Sequence, residues 1–196
     1  MTGLSRSLPD VVIVGAGITG CATALALAEA GVKVEVIERY RPAAMASGWT
    51  LAGVRQSGRD PAELPLARKA VEIWQTLDAR LDAQTGYRQS GNLRLARTER
   101  EAEVIRNLVS SQTEAGLEME ILNPVEAREI APALAKSFLL ASWCPSDGHA
   151  DPVASVEGFR NAAERLGVRF RTNVGVNNVN IIETAARRQF ASFLTT

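Results

Sequence analysis

The sequence predicts an α/β fold, in which a second, α+β portion carrying an antiparallel sheet is interleaved into a parallel βαβ unit. Three observations carry this expectation. A short β-branched run, Val11–Val14, ends in the glycine-spaced segment Gly15 to Gly20, and an alanine-rich stretch then leads to a second apolar run closing at Glu38. The middle of the chain mixes short polar–apolar alternations with helix-starting residues, as antiparallel α+β structure does. Near Asp151 the pattern returns to one helix and one alternating strand, placed to rejoin the first sheet.

Val11–Val14 (VVIV) is charge-free and β-branched, as a strand buried in a parallel sheet must be. Gly15 permits the sharp turn out of it. Gly17 lacks the Cβ that would hold a phosphate off the backbone, and Gly20 lets the next helix press on the strand. That helix aims its amino end, with unpaired N–H groups and partial positive charge, at the same place. No Lys or Arg occurs between Asp10 and Gly31, so a phosphate there is left to the backbone. Gly31 is placed to cap the helix. The strand from Val32 to Glu38 ends in a carboxylate about 20 residues past the glycines, where it can accept hydrogen bonds from ribose hydroxyls. Such a carboxylate disfavours a 2′-phosphate, so NADP is the least favoured dinucleotide, although Arg39 and Arg41 stand close by. The uncharged run Val11 to Ala28 has the length of a membrane span, but its glycine step divides it into a β-branched half and an alanine-rich half, against a spanning helix.

Arg39 to Asp60 is small and polar with scattered aromatics and reads as a long irregular connection, a kind of segment that usually carries function. Pro61 to Leu81 places Leu64, Ala67, Val71, Trp74, Leu77 and Leu81 three or four apart, an amphipathic helix with that stripe facing core. Arg88 to Arg97, alternating from Asn92 to Leu95, predicts a half-buried antiparallel strand. Thr98 with Glu101 forms a capping box that opens a helix running to Gly116, with Ile105, Leu108 and Val109 inward. Glu118 to Leu122 reads as a strand, and Asn123, Pro124 and Glu126 start a short helix. Phe138 to Trp143 reads as a strand before the turn cluster CPSDGH. Asp151 and Pro152 open a helix ended by Gly167, with the strand Val168 to Thr172 after it.

The 196 residues, 46% hydrophobic and 22% charged, suit a soluble globular chain with one core or somewhat more. Basic and acidic residues balance at 22 each, which removes the electrostatic footprint for nucleic acid or an anionic membrane surface. The two cysteines, Cys21 and Cys144, stand apart without CxxC or metal-like spacing, pointing to a reducing, cytoplasmic compartment. With His149 as the single histidine, no multi-histidine metal site can form and no metal is expected. A Ser/His/Asp hydrolase would rest on that one imidazole, without a GxSxG elbow beside it.

Three segments together carry a family resemblance: GAGITG with Glu38, ASGWTLAGVRQ at Ala46 to Gln56, and DGHADP at Asp147 to Pro152 leading through a helix into GVRFRTNV. From Asp10 to Val176 the chain resembles the amino-terminal half of the D-amino-acid oxidase family of FAD-dependent oxidoreductases. The resemblance implies FAD as cofactor, in a Rossmann-like FAD-binding βαβ unit with a truncated, interleaved substrate domain. It implies that Gly15, Gly17, Ile18, Thr19, Gly20, Glu38 and Arg39 meet the cofactor, that Ser47 and Gly48 contact its pyrophosphate, and that the Val174 backbone meets the adenine. By the same resemblance Leu51, Ala52 and Gly53 bring backbone close to the isoalloxazine, where small residues permit approach and N–H groups can stabilise charge on the reduced ring. The implied reaction oxidises the C–N bond of an amino acid or N-substituted amino acid: a hydride leaves the α-carbon for flavin N5 and the imine hydrolyses. A guanidinium holds a substrate carboxylate best, and Arg55 and Arg59, which follow the flavin loop, are the candidates. His149 reads as a turn or domain-junction residue rather than a catalyst, because nothing nearby in sequence orients its ring.

The expected organisation is an FAD-binding βαβ unit with its flavin loop over 1–60, a partial substrate domain over 61–146, a return helix and strand over 147–176, and a divergent tail over 177–196 where the family pattern stops. Family members are longer, and the remainder would supply further sheet strands and a late glycine segment near the flavin. Two readings stand. One is an FAD-dependent amino-acid oxidoreductase, catalytic when an associated chain or the missing half is present; the other is a non-catalytic nucleotide-binding remnant or assembly subunit. An NAD-linked dehydrogenase is disfavoured by the flavin-loop and DGHADP segments.

Overall fold

The computed structural model describes residues 8–183 and 188–195. In chain order the elements are β1 (Val11–Val14), α1 (Ile18–Glu29), β2 (Val34–Ile37), β3 (Gly53–Val54), α2 (Leu64–Leu81), β4 (Asn92–Ala96), α3 (Glu99–Glu114), β5 (Glu120–Leu122), α4 (Pro124–Ile130), β6 (Leu140–Cys144), β7 (Gly148–His149), α5 (Pro152–Arg165), β8 (Arg169–Arg171), β9 (Val176–Glu183) and β10 (Arg188–Thr195). They fall into two compact units, one made of the chain up to Thr50, Ala79–Thr85 and the chain from Pro152 on, the other of Leu51–Asp78 and Gly86–Asp151. These breaks differ from the expected Asp60 and Ser146 boundaries for a physical reason: β3 pairs with β7, Gly53 opposite His149, so both segments belong to the second unit.

The first unit is built on a parallel sheet in the order β1-β2-β8, with Val11 opposite Val34 and Glu35 opposite Arg169. β2 is buried along its whole length. Ile37 and Val36 are sealed from solvent, and burial of such side chains contributes about 1.5–3 kcal/mol each. Glu35, the one charge in β2, is held by Arg169 at 2.8 Å and Arg171 at 3.4 Å on β8. α1 packs against α5, with Cys21, Ala24 and Leu25 buried on one helix and Val156, Ala162 and Ala163 on the other, while Gly158 lies against Leu81 and Ala83. α1 ends as expected at Gly31, which has φ +80°, with Gly31 N–H donating to the Ala28 carbonyl and Val32 N–H to that of Leu27. α5 ends in the same way at Gly167, φ +89°. β9 and β10 form an antiparallel pair, Glu183 opposite Arg188; residues 184–187 and 196 of the expected tail lie outside the described residues.

In the second unit an antiparallel sheet runs β4-β6-β5. β6 is central and covered on both faces, which alternation along the strand makes possible. Leu140 and Cys144 face Ala102, Ile105 and Val109 of α3, with Leu64, Leu117 and Met119 completing that cluster. Ala141 faces Leu122, Ala127 and Phe138, with Leu93, Leu95 and Trp143 packed on. The Thr98–Glu101 capping box opens α3 as expected, and Asn123 with Glu126 makes a second one at α4, ahead of Pro124. α2 begins at Leu64 rather than Pro61. Asp60 arrests the chain there in a turn: its carboxylate accepts from Ala62 N–H at 2.8 Å and its carbonyl from Glu63 and Leu64 N–H. The stretch from Arg39 to Asp60 is also less irregular than expected, because β3 lies within it.

Candidate functional site

The cofactor residues expected in the first unit converge on the amino end of α1. Gly15 holds φ +105° and donates its N–H to the Ile37 carbonyl at 2.8 Å, so the chain leaves β1 and turns at once. A Cβ on Gly20 would lie 2.0 Å from the Gly15 carbonyl oxygen, which shows that the third glycine is required for helix and strand to meet. Gly17 caps α1 without a side-chain bond, and Ile18 N–H donates to Ser47 Oγ at 3.0 Å. The N–H groups of Thr19 and Gly20 follow in the first turn, where no intrahelical carbonyl is available to them.

Glu38 stands one residue past β2, and its carboxylate is brought back to the glycine turn. Oε2 accepts Ala16 N–H at 2.7 Å, and Oε1 accepts Tyr40 N–H at 2.8 Å. Its carbonyl accepts Val174 N–H at 2.9 Å, which sets Val174 beside the same carboxylate-bearing corner. The Arg39 guanidinium is 5.0 Å from the ring centre of its neighbour Tyr40. The segment Ala43 to Gly48 folds onto the turn, with Ala43 N–H donating to the Ala16 carbonyl at 3.2 Å. Gly48 has to be glycine, because a Cβ there would meet the Ala43 carbonyl oxygen at 2.0 Å. Backbone donors at a helix amino end, a hydroxyl among them and a carboxylate at the neighbouring strand end fit the ADP half of a dinucleotide. A Cβ on Gly17 would lie 2.9 Å from Ser47 Oγ, so glycine there lets the Ser47 hydroxyl close on the turn.

The remaining expected residues lie in the second unit. Leu51 is almost wholly exposed, Ala52 holds φ +48°, and Gly53 pairs with His149. The Ala52 carbonyl accepts Ala150 N–H at 3.1 Å, tying this loop to the segment after β7. Arg55 is half-buried, with its stem against Gly53, whereas the Arg59 guanidinium is 3.8 Å from Glu63 at the surface. Arg55 is therefore the freer cation.

Local pattern did not reveal Asp147. It is fully buried, and its Oδ1 accepts the N–H groups of Gln56 at 2.8 Å and Ser57 at 3.3 Å while Oδ2 accepts the Ser57 hydroxyl. It thus holds the chain immediately after Arg55. Asp147 also raises the Tyr87 hydroxyl above the usual tyrosine range, after burial as the larger cause. Among the described residues no group of His, Cys, Asp and Glu is arranged to hold a metal, and no helix is long and apolar enough to cross a membrane.

A family model described as DAO, FAD dependent oxidoreductase, matches residues 10–191. The chain belongs to this family. FAD is the family's cofactor, and the donors and the carboxylate at the glycine turn fit such a group. The DAO match runs past Val176, where the family pattern was expected to stop; the Asn-rich start of β9 weakens the strand signal without ending the fold. The chain is similar to mouse mitochondrial sarcosine dehydrogenase, 26% identical over 186 residues, which cover 91% of this chain and 20% of that protein. Glycine oxidase from Bacillus cereus superposes with a TM-score of 0.86 at 28% identity, over 96% of this chain and 52% of that one. L-proline dehydrogenase from P. horikoshii gives 0.84 at 27% identity, over 96% and 50%. The chain thus spans about half the length of these DAO-like structures and about a fifth of the curated dehydrogenase.

Proposed function

We propose that this chain is the FAD-holding part of an oxidoreductase that oxidises the C–N bond of an amino acid or N-substituted amino acid. The observation that carries the reading is the Glu38 carboxylate on Ala16 N–H at 2.7 Å, which joins the end of the second strand to the glycine turn as an adenosine diphosphate site requires. Similarity to a glycine oxidase and an L-proline dehydrogenase supports an amine as the substrate. In this reading Gly15, Gly17, Ile18, Thr19, Gly20, Ser47 and Gly48 receive the pyrophosphate, Glu38 the ribose, Val174 the adenine, and Leu51 to Gly53 the isoalloxazine. Arg55 holds the substrate carboxylate, and the backbone N–H groups of the loop face charge that develops on reduction. The flavin supplies the two-electron acceptor; the protein contributes position and electrostatics.

A partner chain or further domain supplying the rest of the substrate site belongs to the same proposal. A second reading rests on the same glycine-turn corner, a nucleotide-binding remnant or assembly subunit that oxidises nothing. Purification separates the two. Yellow protein that releases flavin on denaturation and turns over a secondary or primary amino acid with an artificial electron acceptor supports the enzyme. Protein that binds FAD without turnover, even beside its partner, supports the subunit, and colourless protein that cannot be reconstituted with FAD removes both.

A further inference from the structure

Besides Arg55, the second unit places two further basic residues around Gly53. Gly53 lies opposite His149 in the β3–β7 pair, and His149 in turn exchanges both backbone hydrogen bonds with Arg88, at 2.8 and 3.0 Å. Residues directly opposite in antiparallel pairing share a face, so Gly53, His149 and Arg88 form a row across three adjacent segments. Alternation puts Arg55 and Ser90, two residues along from Gly53 and Arg88, on that same face. Both placements are borne out by contact: the Arg55 Cγ lies 3.4 Å from where a Gly53 Cβ would stand, and Ser90 Oγ is 3.0 Å from His149 Nδ1. The opposite face is apolar, with Val54, Tyr87 and Ala150 packed on Val71 and Trp74.

We infer that Arg55, Arg88 and His149 together form an anion-recognising face, and that the substrate carries two carboxylates rather than one. This rests on the amino-acid oxidoreductase reading above. Among the described residues neither arginine forms an ion pair, and the buried carboxylate nearest in sequence, Asp147, is committed to Gln56 and Ser57. One bidentate guanidinium satisfies one carboxylate. Arg88, its backbone about 10 Å from that of Gly53 across two strand spacings, with the His149 imidazole between them, suits a second anionic group on the same small molecule. Gly53, without a side chain, leaves room for the Arg55 stem to lie across it.

The test measures binding of two probes to the full chain by ligand-observed NMR: iminodiacetate, with two carboxylates, and N-methylglycine, with one. Iminodiacetate is expected to bind about tenfold more tightly, the worth of one added charge-assisted contact. R88A brings the ratio of the two affinities toward one, and R88K keeps part of it. Equal affinities, no binding of either probe, or a ratio unchanged in R88A overturns the inference. FAD binding, followed separately by quenching of flavin fluorescence, tells the two failures apart. A chain that binds FAD but shows no dicarboxylate preference overturns this inference alone, whereas a chain that binds no FAD overturns the oxidoreductase reading, whatever the probes show.

Discussion

Gly20 shows how much one missing methyl group decides. A Cβ at this position would sit 2.0 Å from a backbone oxygen, and backbone cannot step aside as the tip of a side chain can. Gly20→Ala is expected to push α1 off β1 and to lower FAD affinity at least about a hundredfold, the scale of nearly 3 kcal/mol, in a fluorescence titration. A second residue-scale effect comes from Cys21 in the same helix. Burial, aided by Glu157, pushes its thiol from 9.0 up to about 12. Between those values the unfolded thiol ionises while the folded one stays protonated, so stability present below pH 9 is lost as pH rises toward 12. Urea unfolding at pH 8 and pH 10 should therefore show a smaller difference for Cys21→Ala than for the wild type. A fall of equal size in both proteins would place the loss elsewhere.

At the scale of elements, three helices stop in the same way. Gly31, Gly116 and Gly167 each hold a positive φ and return N–H groups to the last carbonyls of α1, α3 and α5. A Cβ on Gly167 would touch nothing, so Gly167→Ala isolates the backbone cost, expected at about 1 kcal/mol in equilibrium unfolding. Thr98→Ala, which removes the α3 cap, is expected to cost about 1 kcal/mol as well. These ends were legible in the sequence because a cap and its partners lie within three or four residues of one another. The same holds for the glycine turn and Glu38, which a single βαβ unit brings together. The β3–β7 pair was not legible, since two residues carry no periodicity and the partners are far apart in the chain. Asp147 escaped for the same reason: the Gln56 it holds is 91 positions away, and no local pattern marks a buried carboxylate as an anchor. His149 was read as a junction residue from its turn, and only the register shows it opposite Gly53.

For the molecule as a whole, cofactor and fold are coupled. The proposed ADP site is assembled from the ends of β1 and β2, the loop at Ser47 and the segment at Val174, none of which is fixed in the unfolded chain. Ligand binding to the folded state alone stabilises it by about 2.7 kcal/mol at one hundred times Kd, or roughly 5–10 °C in Tm at this chain length. Differential scanning with FAD should show this rise, and with NAD or NADP should not. An equal rise with NAD would return the chain to the general dinucleotide binders. Among the described residues the parallel sheet ends at β1 on one side and at β8 on the other.

The hydrogen bonding of β2 with β8 does not stop where the strands do. Glu38 N–H donates to the Arg171 carbonyl, Val174 N–H to that of Glu38, and Asn173 N–H to that of Tyr40. The amides of Glu38 and Val174 can therefore exchange with deuterium only when that seam parts, before any nucleotide arrives. Their protection reports whether the adenosine corner is standing in the apoprotein, independently of colour, turnover or any added ligand.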